Sequence, residues 1–520
     1  MKKRYSYYIG KNKVERTVSY IPVRYSLAII FSILEITAII GIVIALCHYV
    51  SYFYLLALIT QVAVIIKIAS SDEPPEYKVP WLLTVLLLPI AGFMLYFMFY
   101  SRKLKRKFIK RLIETEKLRY EKDDADEFSS LKERSPDAAG MARLITKNAS
   151  AKLFTGTRQE YFPLGEKMKE RMLFDLESAK KFIFLEYFII ENGKFWGSIL
   201  EILKRKANEG VTVRVIYDDI GCMNTLPGGY ARRLTRMGIE ATSFSRLRGN
   251  ADSEFNNRSH RKIMVIDGRV GYTGGINLAD EYINETQRLG HWKDTGIRLE
   301  GEAVWEMTRL FLVDFAMNVK NPVDLPEDAY PSFENSEENG YLIPFGDGPK
   351  PIYKRRVGKS VIQSIVNAAN EYVYITTPYL IIDNDTCLCL ENAAQKGVDV
   401  KIILPAIPDK KAVYAITRSF YKRLTDSGVK IYEYTPGFIH AKMYVADGKY
   451  AMIGTINLDY RSLVHHFENG VWLYDSPVIE EMKRDIEETL RDSKEVCDNR
   501  KKRPLRALFR SVVRIFSPML

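Results

Sequence analysis

The chain has 520 residues, 47% of them hydrophobic, and a formal net charge of +12, enough for a membrane region and two domain-sized units with their own cores. The charge is concentrated: residues 1–24, 101–120 and 500–520 carry +6, +7 and +7, which leaves about −8 on the rest of the chain. An acidic body argues against a nucleic-acid groove, and basic segments beside apolar ones point to anionic lipid headgroups. The five cysteines (Cys47, Cys222, Cys387, Cys389, Cys497) fit neither a disulfide framework nor paired metal knuckles, and Cys387-Leu-Cys389 reads as a fragment of helix or strand.

Residues 1–24 read as a basic tail and 25–100 as a membrane region with two or three spans. Its apolar stretches are 27–50, 52–66 and 81–100, and a bilayer core needs about 20 apolar residues in a helix. The middle stretch is short and contains Gln61, as a tilted or re-entrant piece would. The first is too long for a signal peptide and follows a basic tail. Basic residues flank both ends of the region, so the positive-inside rule places both flanks in the cytoplasm and requires an even number of spans. Either the middle stretch does not cross, or the rule fails at one end. Glu35, inside the first stretch, is an intramembrane carboxylate and so a functional candidate.

A charged linker, residues 101–139, leads into a globular region that reads twice. Phe182-Ile-Phe-Leu-Glu186 matches Tyr372-Val-Tyr-Ile-Thr376, and Gly210-Val-Thr-Val-Arg-Val-Ile-Tyr217 matches Gly397-Val-Asp-Val-Lys-Ile-Ile-Leu404. Short β-branched strands alternate with helical stretches in each copy, which predicts an α/β fold: two tandem domains, 140–330 and 340–492, related by a pseudo-twofold. The stretch 325–350, rich in Pro, Gly and acids, reads as their linker. The end, 497–520, reads as a basic amphipathic tail, with Arg503, Arg506, Arg510 and Arg514 opposite Leu505, Leu508, Phe509 and Val512.

Each copy carries one strict motif. His260-Arg-Lys262-Ile-Met-Val-Ile-Asp267 is followed by Gly274-Gly275-Ile-Asn277, and His440-Ala-Lys442-Met-Tyr-Val-Ala-Asp447 by Gly454-Thr455-Ile-Asn457, every pair 180 residues apart. Along a strand the histidine and lysine share a face, while the aspartate, seven positions on, faces the other way. Asp267 and Asp447 each precede a glycine, a hairpin signature that gives them a scaffolding role on geometry alone. The turns at Gly275 and Thr455 are expected to bring backbone amides, and Asn277 and Asn457, close to a phosphate.

Two histidines, two lysines and two asparagines suit a phosphodiester. One imidazole attacks phosphorus, the other moves the proton of the alcohol, and the lysines neutralise the non-bridging oxygens. This chemistry needs no metal and no cofactor.

The duplicated motif with its downstream G-[GST]-x-N resembles the phospholipase D superfamily, and the narrower resemblance is to bacterial cardiolipin synthases. It extends over nearly the whole chain, through Pro80-Trp-Leu-Leu, Leu185-Glu186-Tyr-Phe, Leu458-Asp459-Tyr-Arg461-Ser462 and the basic tail. The resemblance implies that His260, Lys262, Asp267, His440, Lys442 and Asp447 are all catalytic, with His260 as nucleophile. It implies transfer of a phosphatidyl group between two phosphatidylglycerol molecules through a phosphohistidine, at a multi-pass bacterial cell membrane. The alternatives are a membrane-bound phospholipase D, transfer to another alcohol, and a membrane-tethered nuclease. Asp294 and Glu468 are candidates for orienting the imidazoles through their second nitrogens. Asp218-Asp219 reads as a turn. His465-His466 looks like a ligand pair but has no partners at metal spacing.

Overall fold

The computed structural model describes residues 2–9, 12–19, 23–45, 50–71, 73–99, 123–245, 257–319, 330, 333, 339–350, 352–496 and 514–515. The chain divides into a front unit that ends at Lys103 and a larger unit that contains both motifs. The basic stretch 101–120 and most of the tail 497–520 lie outside the described residues.

The front unit opens with an antiparallel hairpin where a tail was expected: β1 (Lys2–Ile9) pairs with β2 (Asn12–Ser19) from Lys2↔Ser19 to Ile9↔Asn12. Two helices follow, α1 (Val23–Ala45), which carries Glu35, and α2 (Val50–Ala69). The third apolar stretch does not form one helix. It is broken into α3 (Pro75–Leu87) and α4 (Pro89–Phe99), because Pro89 has no N–H and disfavours helical geometry at Leu88, which sits at φ −127°, ψ 80°. Among the described residues no helix is long and apolar enough to cross a membrane, so none of the two or three expected spans, nor the expected multi-pass topology, is supported.

The larger unit is built on two mixed sheets. The first takes β3 (Arg158–Phe162), β4 (Phe182–Tyr187), β5 (Thr212–Asp218), β6 (Glu240–Phe244), β7 (Lys262–Ile266) and β8 (Val270–Gly274). A short strand β9 (His291–Lys293) stands apart, and β10 (Gly296–Glu300) completes the sheet in the order β3-β10-β8-β7-β4-β5-β6. The second sheet takes β11 (Tyr341–Asp347), β12 (Tyr372–Thr376) and, after the small β13 (Leu380–Ile381), β14 (Asp399–Pro405) and β15 (Lys430–Tyr434). Then come the short β16 (Gly437–Ile439), β17 (Met443–Ala446), β18 (Tyr450–Gly454), the small β19 (Leu458–Asp459), β20 (Glu468–Tyr474) and β21 (Ser493–Glu495). Its order, β11-β20-β18-β17-β12-β14-β15-β21, repeats that of the first sheet strand for strand from β10 and β20 to β6 and β15.

In both copies the Asp-Gly pair makes the expected hairpin turn, with φ of 52° and 67° at Asp267-Gly268 and 53° and 65° at Asp447-Gly448. Two boundaries differ from the sequence reading. The stretch expected as linker contributes β11, whose Phe345 and Tyr341 join the second core. The helices Ala125–Arg134 and Pro136–Ala149, ahead of the first copy, pack on the second: Leu131, Met141 and Ile145 are buried there, and Trp472 Nε1 lies 3.0 Å from Met141 Sδ.

The two halves share a core. Phe182, Phe184 and Phe311 of the first half cluster with Ile403, Val471, Leu473 and Met482 of the second, and Phe184 stacks on Phe311 at 4.7 Å and 11°. Apolar area removed from water here holds the halves face to face. Phe311→Ala removes a ring from the middle of this interface, and the expected loss of stability is about 3–5 kcal/mol, read by chemical denaturation of the purified protein.

Candidate active site

The site is made where the two halves exchange strand contacts. β16 runs parallel to β9 across the interface, pairing Gly437↔His291 through Ile439↔Lys293. The next amide, His440 N–H, donates to Lys293 O at 2.7 Å. The mirror contact is a parallel bridge between Ser259 and Phe467, extended by His260 N–H donating to Phe467 O at 2.8 Å. Each histidine is thereby registered against the residue just before a carboxylate of the other half.

The consequence is two crossed histidine–carboxylate contacts. His260 Nδ1 lies 2.9 Å from Glu468 Oε2, and His440 Nδ1 lies 2.6 Å from Asp294 Oδ2. All four groups are buried. Phe188 stands edge-on to His260 at 5.1 Å, and Tyr282 and Trp292 flank His440 at 5.4 and 5.5 Å. Burial among these rings pushes the His260 pKa down to about 3 against the pull of Glu468, and drives His440 well below its ordinary value. Both imidazoles are therefore neutral, with Nε2 left as the nitrogen that can act on a ligand.

Lys262 Nζ donates to His260 O at 2.7 Å, and Lys442 Nζ to His440 O. Desolvation, joined for Lys262 by the neighbouring Lys442 charge, lowers the two ammoniums to about 7 and about 8. The carboxylates diverge. Glu468 is held below its ordinary range by His260 against the opposing effect of burial, whereas burial pushes Asp294 up to about 7.

The turn residues do different work from that expected. The Gly275 amide donates to Thr295 O at 3.0 Å and the Thr455 amide to Asn469 O at 2.9 Å, so neither is available to a phosphate. A Cβ on Gly275 would run into Asp294 Oδ1, so this glycine makes room for the carboxylate. Thr455 Oγ1 donates to Glu468 Oε2 at 2.5 Å. Asn277 is also engaged, accepting from Ile189 N–H at 3.0 Å and donating to Tyr282 Oη at 2.7 Å. Asn457, its counterpart, keeps a buried Oδ1 that has no partner among the described residues.

Asp267 and Asp447 do not meet the other motif residues. Each lies at the far end of its strand, about 23 Å from its histidine at about 3.3 Å per residue. Asp267 accepts from Lys180, Lys181 and Phe182 N–H at 2.7–2.8 Å, and Asp447 from Asn370, Glu371 and Tyr372 N–H at 2.7–3.0 Å. They tie the hairpin to the neighbouring strand's entry. This placement matches the scaffolding geometry read from the spacing.

Other residues enter that the sequence did not single out. Arg258 and the Ser259 amide are both held by Asp218, Arg258 Nη2 at 2.9 Å and the amide at 3.1 Å, so the Asp218 turn also fixes the approach to His260. Ser259 Oγ donates to the buried Glu186 at 2.5 Å, and Arg261 is paired with Asp314 at 2.7 Å. His466 does have partners: its ligand nitrogen, that of His260 and a Glu468 oxygen lie within 4.8 Å of one another, a grouping that could hold a metal ion. Against a cation stand Lys262 and Lys442 in the same cavity, and the commitment of Glu468 to His260 and Thr455. Spacing alone offers only His466 and Glu468, two residues apart, because His260 comes from the opposite half.

The fold and the duplicated histidine–lysine motifs define the phospholipase D class of two-lobed enzymes. A model described as cardiolipin synthase, phospholipase D-like domain, matches residues 172–290 and 361–490, and one described as phospholipase D-nuclease N-terminal matches 56–99. An uncharacterized protein of Streptococcus mutans is 42% identical over 88% of this chain and 99% of its own length. Cardiolipin synthase 2 of Bacillus anthracis is 32% identical over 86% and 88%, and cardiolipin synthase of Halalkalibacterium halodurans 33% identical over 82% and 85%. The phosphatidylserine synthase of Haemophilus influenzae shares the fold, with a TM-score of 0.55 at 14% identity over 73% of this chain and all of that one. The chain belongs to the cardiolipin synthase family.

The lysine charges give the site a pH dependence. Rising pH removes the proton from Lys262 and Lys442, and with it the charge that a phosphodiester needs. For the free enzyme kcat/KM is expected to fall along an alkaline limb beginning between pH 7 and 8, about tenfold per pH unit for one proton lost. A kcat/KM profile that stays flat to pH 9.5 would contradict this.

Proposed function

We propose that the chain joins two phosphatidylglycerol molecules into cardiolipin, releasing glycerol, through a phosphohistidine on His260. Membership of the family makes it a phosphatidyltransferase of the phospholipase D type. The observation that carries the reading is the pair of buried neutral imidazoles, each backed by a carboxylate from the opposite half.

The difference between the carboxylates supports the division of labour. Glu468, held ionised, stabilises positive charge on His260 as its Nε2 attacks phosphorus. The Asp294–His440 pair carries a proton that titrates near neutrality, and this proton goes to the departing glycerol oxygen as the P–O bond breaks. In the second step the hydroxyl of an incoming phosphatidylglycerol gives its proton to His440, its oxygen attacks phosphorus, and the P–N bond breaks to free His260. Lys262 and Lys442 neutralise the non-bridging oxygens throughout. Asp267 and Asp447 act only through the strands they fix.

We infer membrane attachment through the front unit, on which Ile29, Ile33, Leu34, Leu55, Leu56 and Leu87 are all more than half exposed. Anionic lipid is the matching surface for the basic segments.

Purified enzyme incubated with phosphatidylglycerol and EDTA is expected to yield cardiolipin and glycerol, measured by mass spectrometry of the lipids. Added glycerol is expected to reverse the reaction, because transphosphatidylation conserves the number of phosphodiesters. His260→Ala and His440→Ala are each expected to lose roughly 10³-fold or more in kcat. Phosphatidic acid as the main product, unaffected by glycerol, would replace the synthase reading with a hydrolase.

A further inference from the structure

The broken third apolar segment folds back on itself. In one continuous helix Trp81 and Tyr96 would be about 22 Å apart at 1.5 Å per residue. Their ring centroids are 5.6 Å apart, edge to face. The backbone of Gly92 rests on the Thr84 carbonyl so closely that a Cβ would collide with it. α3 and α4 are thus the two arms of a hairpin whose tip is Leu88-Pro89.

Both arms end at the same level, beside the end of α2. Lys78 Nζ, in the first turn of α3, donates to Ala69 O at 2.9 Å. Lys67, in the last turn of α2, lies 4.8 Å from the ring of Phe97, near the end of α4. This base is polar, with Ser70, Ser71, Glu73, Glu76 and Lys78. The tip is the opposite: Leu86, Leu87 and Leu88 are 58, 71 and 49% exposed.

The tip also solves a problem that arises only away from water. Pro89 has no N–H to give to Val85 O, four residues back, and an unsatisfied carbonyl in hydrocarbon costs several kcal/mol. Gln61, reaching across from α2, donates its Nε2 to Val85 O at 3.0 Å and to Leu86 O at 3.3 Å. At an exposed loop, water would serve these carbonyls. Here a glutamine in a largely apolar helix serves them.

We propose that Pro75–Phe99 is a re-entrant hairpin that enters one lipid leaflet tip first and returns to the surface it left. The arms, 13 and 11 residues long, span about 20 and 17 Å, close to the roughly 15 Å of hydrocarbon in a single leaflet and well short of a bilayer. The chain before Pro75 and the chain after Phe99 then lie on one face of the membrane. This rests on the membrane attachment proposed above and replaces the third span expected from the sequence.

The test uses the full-length enzyme in sealed vesicles of phosphatidylglycerol and phosphatidylethanolamine. Single variants Glu73→Cys, Leu87→Cys and Asp126→Cys are treated with a membrane-impermeant maleimide, against the labelling of the unsubstituted protein, and each must still form cardiolipin. Glu73→Cys and Asp126→Cys are expected to label from the same face. Leu87→Cys is expected to label only after detergent. Labelling of the first two from opposite faces, or of Leu87→Cys in intact vesicles, would overturn the hairpin. Failure of the protein to float with the vesicles would instead overturn the membrane attachment on which it rests.

Discussion

Each motif imidazole contacts a carboxylate from the other half of the molecule, and the rest of the structure holds that exchange in place. A buried histidine with a free Nδ1 can adopt either tautomer and several ring orientations. Pairing His260 with Glu468 and His440 with Asp294 fixes both, but only while the two halves are held in register. The parallel contacts β9–β16 and Ser259–Phe467 set that register, and the shared aromatic core maintains it. Neither motif histidine is paired with a carboxylate of its own half, so the duplicated motifs combine in a single arrangement.

The halves are alike in topology and unlike in chemistry. In the first, Gly275 leaves room for the short side chain of Asp294; in the second, Thr455 donates to the longer Glu468, and His466 approaches the same carboxylate, Nδ1 to Oε1, at 3.6 Å. The first arrangement leaves Asp294 near neutrality and the second leaves Glu468 ionised. A transfer that needs a nucleophile on one side of phosphorus and a proton carrier on the other requires such a difference.

Much of this was legible in the sequence. The period-two spacing put His260 with Lys262 and turned Asp267 away, and the Asp-Gly pairs fall at the hairpin turns. What failed did so for physical reasons. The amides of Gly275 and Thr455 looked free because their acceptors, Thr295 O and Asn469 O, belong to neighbouring strands that no local motif reveals. Asp294 and Glu468 were named as orienting candidates, but which histidine each meets was hidden, because they are 174 residues apart where the motifs are 180 apart and the contacts cross between the halves. His466 was set aside although Glu468 lies two residues on, because the third member of the group, His260, arrives from the other half. The apolar stretch 81–100 reads as a span by hydropathy, yet Pro89 breaks it and Gly92 lets the arms close. The pairing of Gln61 with the stranded carbonyl could be seen only once the fold-back was known.

The central claim is tested most directly by the first turnover of a phosphatidyl ester of p-nitrophenol, a leaving group that needs no protonation. With that substrate the burst of p-nitrophenol reports attack by the nucleophile alone. If Glu468 orients and stabilises His260 across the interface, Glu468→Gln slows the burst by about 10²–10⁴ while Asp294→Asn leaves it near the wild-type rate. A wild-type burst in Glu468→Gln would contradict the account.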